Sequence, residues 1–149
     1  KFEKNFAKYL GVKYAQAVSS GTAALKIALV ALGVKPGDEV ILPAQTHVAT
    51  AHAVEMVGAK PIFIDCEMET GNIDINKIEK AITPKTKAIM PVHLTGRMCD
   101  MDTIMEIAKK YHLVVIEDSA QAIGSKYKDR ITASLMLGIS ALTTQTSLG

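Results

Sequence analysis

The sequence predicts an α/β protein, built in three layers as α/β/α around a mostly parallel central sheet with right-handed crossovers. Three observations carry that prediction. Short apolar or β-branched runs recur along the chain, at Tyr14–Val18, Glu39–Pro43, Lys60–Asp65, Thr86–Val92 and Val114–Ile116. Segments with apolar residues at helical spacing separate them, opened by Ser, Thr or Asp and closed by Gly or Pro. The last run, Val114, Val115 and Ile116, is β-branched throughout, as expected of a strand covered on both faces.

Taken in order, Phe2, Phe6, Tyr9 and Leu10 follow helical spacing and Gly11 closes that helix. Tyr14–Val18 reads as a strand. Ser20, Gly21 and Thr22 then form a turn feeding a helix whose Leu25, Ala28, Leu29 and Leu32 share one face, with Gly33 and Pro36 as its stop. After the strand Glu39–Pro43, Thr46 is the expected cap of a helix bearing Val48, Ala51, Val54 and Met56, stopped at Gly58. Lys60–Asp65 is a strand ending in an acid. A short amphipathic helix runs from Asp74 to Ile82, and Thr86–Val92 is a strand leading to His93, Leu94 and Gly96. Asp100 caps a helix with Ile104, Ile107, Ala108 and Tyr111 inward and Lys109, Lys110 and His112 at its negative end.

Composition narrows the function classes. At 149 residues the chain fits one domain with a real core, and 48% hydrophobic with 21% charged residues is the balance of an ordinary globular protein. A net charge of +2 without a basic tract or aromatic platform argues against nucleic acid as a partner. Apolar stretches are broken well short of a membrane span. Cys66 and Cys99 are too few for a disulfide framework and lack metal-ligand spacing, which points to a reducing, cytoplasmic setting and away from zinc. The chain opens without an initiator Met and closes on Ser147, Leu148 and Gly149 with no terminal helix pattern, so both ends read as cut.

Two stretches carry candidate chemistry. Val114–Ile116 ends in Glu117 and Asp118, followed by Gln121, so acids stand outside the carboxyl end of a strand, where open α/β sheets collect ligands. The alternative is that Asp118 or Ser119 merely caps the next turn or holds the Gly124 loop. Ser20–Thr22 offers backbone N–H groups, hydroxyls and a helix dipole to an anion, or else is plain N-capping. His47, near a strand end, could stack a flat ring on a ligand or be a satisfied surface histidine; His52 has no partner in view. No GxGxxG follows the first strand and no GxxxxGK[ST] occurs, so neither a dinucleotide fingerprint nor a P-loop is available.

Six stretches taken together resemble one family: Ser20-Gly21-Thr22-Ala23-Ala24-Leu25, Gly37-Asp38-Glu39-Val40-Ile41, Thr46-His47-Val48-Ala49-Thr50, Gly58-Ala59-Lys60-Pro61, Pro91-Val92-His93-Leu94 and Ile116-Glu117-Asp118-Ser119-Ala120-Gln121-Ala122. In this order and spacing, from about Phe2 to Tyr127, the chain is similar to the DegT/DnrJ-type sugar aminotransferases, pyridoxal-phosphate enzymes of the aspartate aminotransferase fold (fold type I). The resemblance implies that Gly21, Thr22 and Ala23 hold the cofactor phosphate and that His47 takes the place of the aromatic residue stacked on the ring. It implies further that Asp118 pairs with the pyridinium nitrogen, Gln121 reaches the ring 3-oxygen, and His93 and Glu117 support them. Its substrates would be a nucleotide-linked keto-sugar and an amino-acid donor such as glutamate, and the family pairs as homodimers.

The tail departs from that pattern. No lysine follows Lys128. Where the resemblance places the lysine that carries the cofactor covalently, this chain has Thr146 if one residue is gapped, with Ala141 at a phosphate-binding serine, or Ser147 without the gap. Neither side chain can form an imine. The expectation is an incomplete large domain over 1–149 with no small carboxyl-terminal domain, inactive as written; the alternative is a non-catalytic remnant or binding module that keeps the fold.

Overall fold

Alternation along each strand sorts the core into two halves on opposite faces of one sheet. The computed structural model describes residues 1–132 and 140–141. Strands β1 (Glu39–Pro43), β2 (Lys60–Ile64), β3 (Thr86–Ile89) and β4 (Val114–Val115) form a sheet in the order β2-β1-β3-β4, every pair parallel. Val40, Leu42, Ala88, Met90 and Ile116 point to one face, where they meet Leu25, Ala28 and Leu29 of α2 (Gly21–Ala31) and Ala53 and Val54 of α3 (Val48–Glu55). Ile41, Ile89 and Val115 point to the other, against Ile78 of α4 (Ile75–Ala81) and Ile104, Ile107 and Ala108 of α5 (Met101–Tyr111). Period-2 side-chain direction applied to strands buried on both sides gives three layers. The predicted fold class is the observed one.

The strand that begins at Val114 does not stop at Ile116. Ile116 N–H donates to Ile89 and Asp118 N–H to Pro91, and His93 N–H donates back to the Asp118 carbonyl, so the ladder continues into β5 (Glu117–Asp118). On its other side β5 pairs in parallel with β8 (Ser140–Ala141), Asp118 opposite Ala141. Both acids therefore sit within the sheet, at the carboxyl edge of a strand with neighbours on each side. Beyond them β6 (Lys126–Tyr127) and β7 (Arg130–Ile131) make an antiparallel hairpin.

That hairpin is tied to α5. Tyr127 Oη donates to Asp100 Oδ1 at 2.8 Å, while Asp100, the α5 cap, accepts from the N–H and hydroxyl of Thr103. Burial works to raise the Asp100 pKa, but the bonds from Thr103 and Tyr127 outweigh it and hold the carboxyl below its ordinary value. A depressed folded pKa means that this contribution to stability is complete above the ordinary aspartate range and is lost as pH falls through the lowered value.

Several expectations need correction. Tyr14–Val18 is not a strand: it follows α1 (Phe2–Leu10) as irregular chain, with Tyr14 78% exposed. The Glu3 carboxylate accepts from Ala17 N–H and the Gln16 amide, so backbone that could have joined a ladder is satisfied locally. The residue that caps α3 is His47, whose Nδ1 accepts from Ala49 N–H at 3.2 Å, because Thr46 turns its hydroxyl to Thr50. Val48 and Met56 are exposed, and α3 buries Thr50, Ala53 and Val54. Tyr111 lies outward beneath the Lys110 ammonium, and Met101 takes the inward place. Strand β2 ends at Ile64; the acid after it, Asp65, is exposed and pairs with Lys77.

Candidate functional site

Asp118 shares the sheet face of Ile116 two residues before it, so its side chain is directed into the layer of α2 and α3. Its carboxylate is buried. Oδ2 accepts from Thr50 Oγ1 at 2.8 Å and Oδ1 from Ala120 N–H at 3.2 Å. The second bond is the turn-capping role that the sequence left open, and it occupies one oxygen only. Among the described residues no Lys, Arg or His forms an ion pair with Asp118. An ionised carboxylate held by neutral donors alone is expensive to bury, and the first turn of α3 beside it offsets only part of that cost. The donor set therefore suits a cationic N–H arriving from outside the chain.

Glu117 alternates to the opposite face. Its Oε2 lies 3.1 Å from His93 Nε2, with both side chains buried. Cys99 N–H donates to His93 Nδ1 at 3.2 Å, so Nε2 is the ring nitrogen left to carry hydrogen toward Glu117. Cys99 itself is a buried thiol donating to the Val92 carbonyl, and desolvation pushes its pKa up to about 12, which makes it an inert structural cysteine. Glu117 and His93 thus fasten the Pro91–Leu94 segment to β5 immediately behind Asp118.

Gln121 follows one turn later, on the exposed side of the loop. Its Oε1 accepts from Thr95 N–H at 2.8 Å, which leaves the Nε2 amide as a donor. Thr95 holds φ at 52°, a left-handed conformation that a β-branched residue rarely adopts and that clusters at functional loops. At the start of α2, Ser20 Oγ accepts from Ala23 N–H, so Ala23 is engaged as an ordinary cap. Among the described residues the N–H groups of Gly21 and Thr22 have no protein acceptor. Helix α2 packs on α3 and on β8, the strand paired with Glu117 and Asp118, so the Gly21–Thr22 turn belongs to the same sheet face as the Asp118 carboxylate.

A family model for the DegT/DnrJ/EryC1/StrS aminotransferases matches residues 1–141. The chain belongs to this family. It is 53% identical over 134 residues to GDP-perosamine synthase of Caulobacter vibrioides, which takes in 90% of this chain and 36% of that protein. To the UDP-2-acetamido-2-deoxy-3-oxo-D-glucuronate aminotransferase of Pseudomonas aeruginosa it is 49% identical over 133 residues, 89% of this chain and 37% of the relative. Among solved structures it matches NtdA from Bacillus subtilis, determined with the cofactor PMP bound, at a TM-score of 0.82 and 53% identity over 83% of this chain and 28% of that one. The chain spans about a third of the length of the curated relatives it matches.

Set beside this DegT/DnrJ/EryC1/StrS membership, the structure puts α2 and α3, which start from the Gly21–Thr22 turn and the His47 cap, on the sheet face that carries Asp118, with Gln121 in the loop beyond. His93 and Glu117 lie behind the carboxylate, away from that face. Thr146 and Ser147 are outside the described residues. Sequence reading gave Thr46 only a capping role and gave Thr50 none. Thr50 had a signal, since Thr50, Ala53 and Val54 fall at i, i+3 and i+4 and mark the inward face of α3. Thr95 had none, because its left-handed backbone is set by the loop around it. A cleft of about 460 Å³ between α4 and α5, with Ile75, Glu79, Thr103 and Lys110 in its walls, lies in the opposite helical layer and holds none of these groups. Among the described residues no cluster of His, Cys, Asp and Glu could hold a metal, and no helix is long and apolar enough to cross a membrane.

Proposed function

We propose that this chain is the amino-terminal part of the large domain of a pyridoxal-phosphate-dependent aminotransferase, whose full activity moves an amino group from an amino-acid donor to the keto-sugar of a nucleotide-sugar. The observation that carries this reading is Asp118, a buried carboxylate at a strand's carboxyl edge with two neutral donors and no cation among the described residues. Two close relatives bear the names of GDP- and UDP-sugar enzymes, which supports the substrate class. Exposed Ile27, Val30, Val48 and Met56 support a homodimer, and two free cysteines support a cytoplasmic protein.

The residues fit the cofactor. Gly21 and Thr22 would offer N–H groups and a hydroxyl to its phosphate, Asp118 would accept the ring N–H, and the Gln121 amide would donate to the ring oxygen. His47, with Nδ1 spent on capping α3, would lend its ring face. Bound pyridoxal phosphate supplies an electron-withdrawing ring for amino-group chemistry. Asp118 would favour a proton on the ring nitrogen, with Thr50 holding its carboxylate and Glu117 and His93 fastening the strand behind it.

Transamination further needs a lysine amine to carry the cofactor and shuttle a proton, and this chain has no lysine after Lys128. The 149 residues taken by themselves are then expected to bind the cofactor reversibly. The same observation favours the second reading, a non-catalytic remnant that keeps the fold. Titrating the chain with pyridoxal phosphate by absorbance tests the common core of both. Two or three charge-assisted contacts of ~1.5–3 kcal/mol each, set against the cost of association, give an expected Kd on the order of millimolar. Inorganic phosphate should compete. Absence of saturable binding, or binding indifferent to phosphate, would count against the site.

A further inference from the structure

We infer that Thr50 is a positioning residue for Asp118, and that the hydroxyl pair Thr46 and Thr50 fixes the plane in which the carboxylate meets a ligand. The inference rests on the cofactor reading above only for the identity of the ligand.

The geometry assigns direction to the chain of hydroxyls. Thr50 Oγ1 donates to Asp118 Oδ2 at 2.8 Å and lies 2.7 Å from Thr46 Oγ1. A hydroxyl has one hydrogen, and that of Thr50 is committed to the carboxylate, so Thr46 must be the donor in the second bond. Donors in series polarise one another, which strengthens the final bond to Asp118. Thr50 is fully buried, Thr46 half-buried, and both are carried by or immediately precede the first turn of α3. Thr50 is thus the contact that registers α3 against β5 across 68 residues of sequence.

Its chemical consequence is steric and electrostatic. With Thr50 on Oδ2 and Ala120 N–H on Oδ1, rotation of the carboxyl group would break two bonds, so its plane is set. An incoming cationic N–H then meets a fixed acceptor instead of a rotor, and the ordering cost of binding falls. The hydroxyl also donates to the carboxylate without bringing a positive charge that would compete with the ligand's, as a lysine or arginine in the same place would.

The test uses the full chain with Thr50→Val, which keeps the shape and removes the donor, and Thr50→Ser, which keeps the donor. Pyridoxal phosphate is compared with its carbocyclic analogue, in which ring nitrogen is replaced by C–H. Thr50→Val is expected to weaken pyridoxal phosphate roughly tenfold, the worth of one hydrogen bond to a charged group, and to leave the analogue unchanged. Thr50→Ser should restore binding to within about twofold. Equal weakening of both ligands, or no weakening of either, overturns the role. A ligand-free readout runs beside it: by urea unfolding, Thr50→Val should lower the folding equilibrium constant about tenfold in the parent and clearly less in an Asp118→Ala background. Equal losses in the two backgrounds overturn the inference. If the parent binds pyridoxal phosphate no better than the analogue, the Asp118 part of the cofactor reading fails, and the urea cycle still decides whether Thr50 acts on Asp118.

Discussion

Asp118→Asn is expected to weaken pyridoxal phosphate binding by roughly tenfold to a hundredfold and to leave the ligand-free chain at least as stable as the parent. The two halves of that result separate the roles that one residue could play. A carboxylate that only capped the turn to Ala120 would leave cofactor binding intact on replacement and at most cost stability, up to about 1 kcal/mol if the amide turned its oxygen away from that N–H. A carboxylate kept for an external cation behaves in the reverse way. Its charge is buried against Thr50 and Ala120, neutral donors both, so removing the charge relieves desolvation while an isosteric amide can still accept one of those bonds. Residues that cost stability in the empty protein and gain it back on binding are the expected mark of a functional site. Calorimetry or urea unfolding of the two chains, read together with the cofactor titration, measures both halves. A large loss of stability with binding intact would return Asp118 to a structural role.

His93→Leu should produce the largest loss of stability of any substitution near the site, about 3 kcal/mol. The imidazole is fully buried and serves two partners, accepting from Cys99 N–H and facing Glu117 Oε2. Leucine fills much of the volume but leaves the Cys99 N–H without an acceptor and takes one partner from a buried carboxylate. For a chain of this length each kcal/mol corresponds to about 2–4 °C, so the melting temperature should fall by roughly 6–12 °C. His93→Gln, which retains an acceptor and a donor, should recover a good part of it. Because His93 and Glu117 sit on the face away from α2 and α3, cofactor affinity measured on the folded fraction should change far less than stability does.

The fold was legible where one physical rule dominated. β-Branched runs between capped, amphipathic segments can be buried on both sides in few ways, and Val40, Ile41 and Leu42 alternate between the two cores as such runs must. Asp100 caps its helix as read, because an Asx side chain before a helical face has little else to do; Asp74, read as the first residue of its helix, is its cap for the same reason. Legibility failed where a distant or neighbouring polar group changed the local choice. Tyr14–Val18 has the composition of a strand, but Glu3 takes its backbone N–H. Thr46 has the composition of a cap, but Thr50 takes its hydroxyl, and His47 caps in its place. The positions of Glu117 and Asp118 at a strand end could be read from the sequence alone. Their division between two faces, one acid toward α3 and the other toward His93, needed the observation that the strand runs on past Ile116.

We propose that the Gly21–Thr22 turn, His47 and Asp118 hold an aminotransferase cofactor, and that these 149 residues, with no lysine after Lys128, hold it without a covalent link. Incubating the chain with pyridoxal phosphate, reducing with borohydride and measuring intact mass followed by peptide mapping tests it directly. The expected result is low, scattered labelling of surface lysines that is the same in Asp118→Asn, with no transaminase activity on any keto-sugar nucleotide. Stoichiometric labelling of one particular lysine, lost in Asp118→Asn and accompanied by amino-group transfer, would contradict it by showing that a lysine at or before Lys128 serves as the catalytic amine.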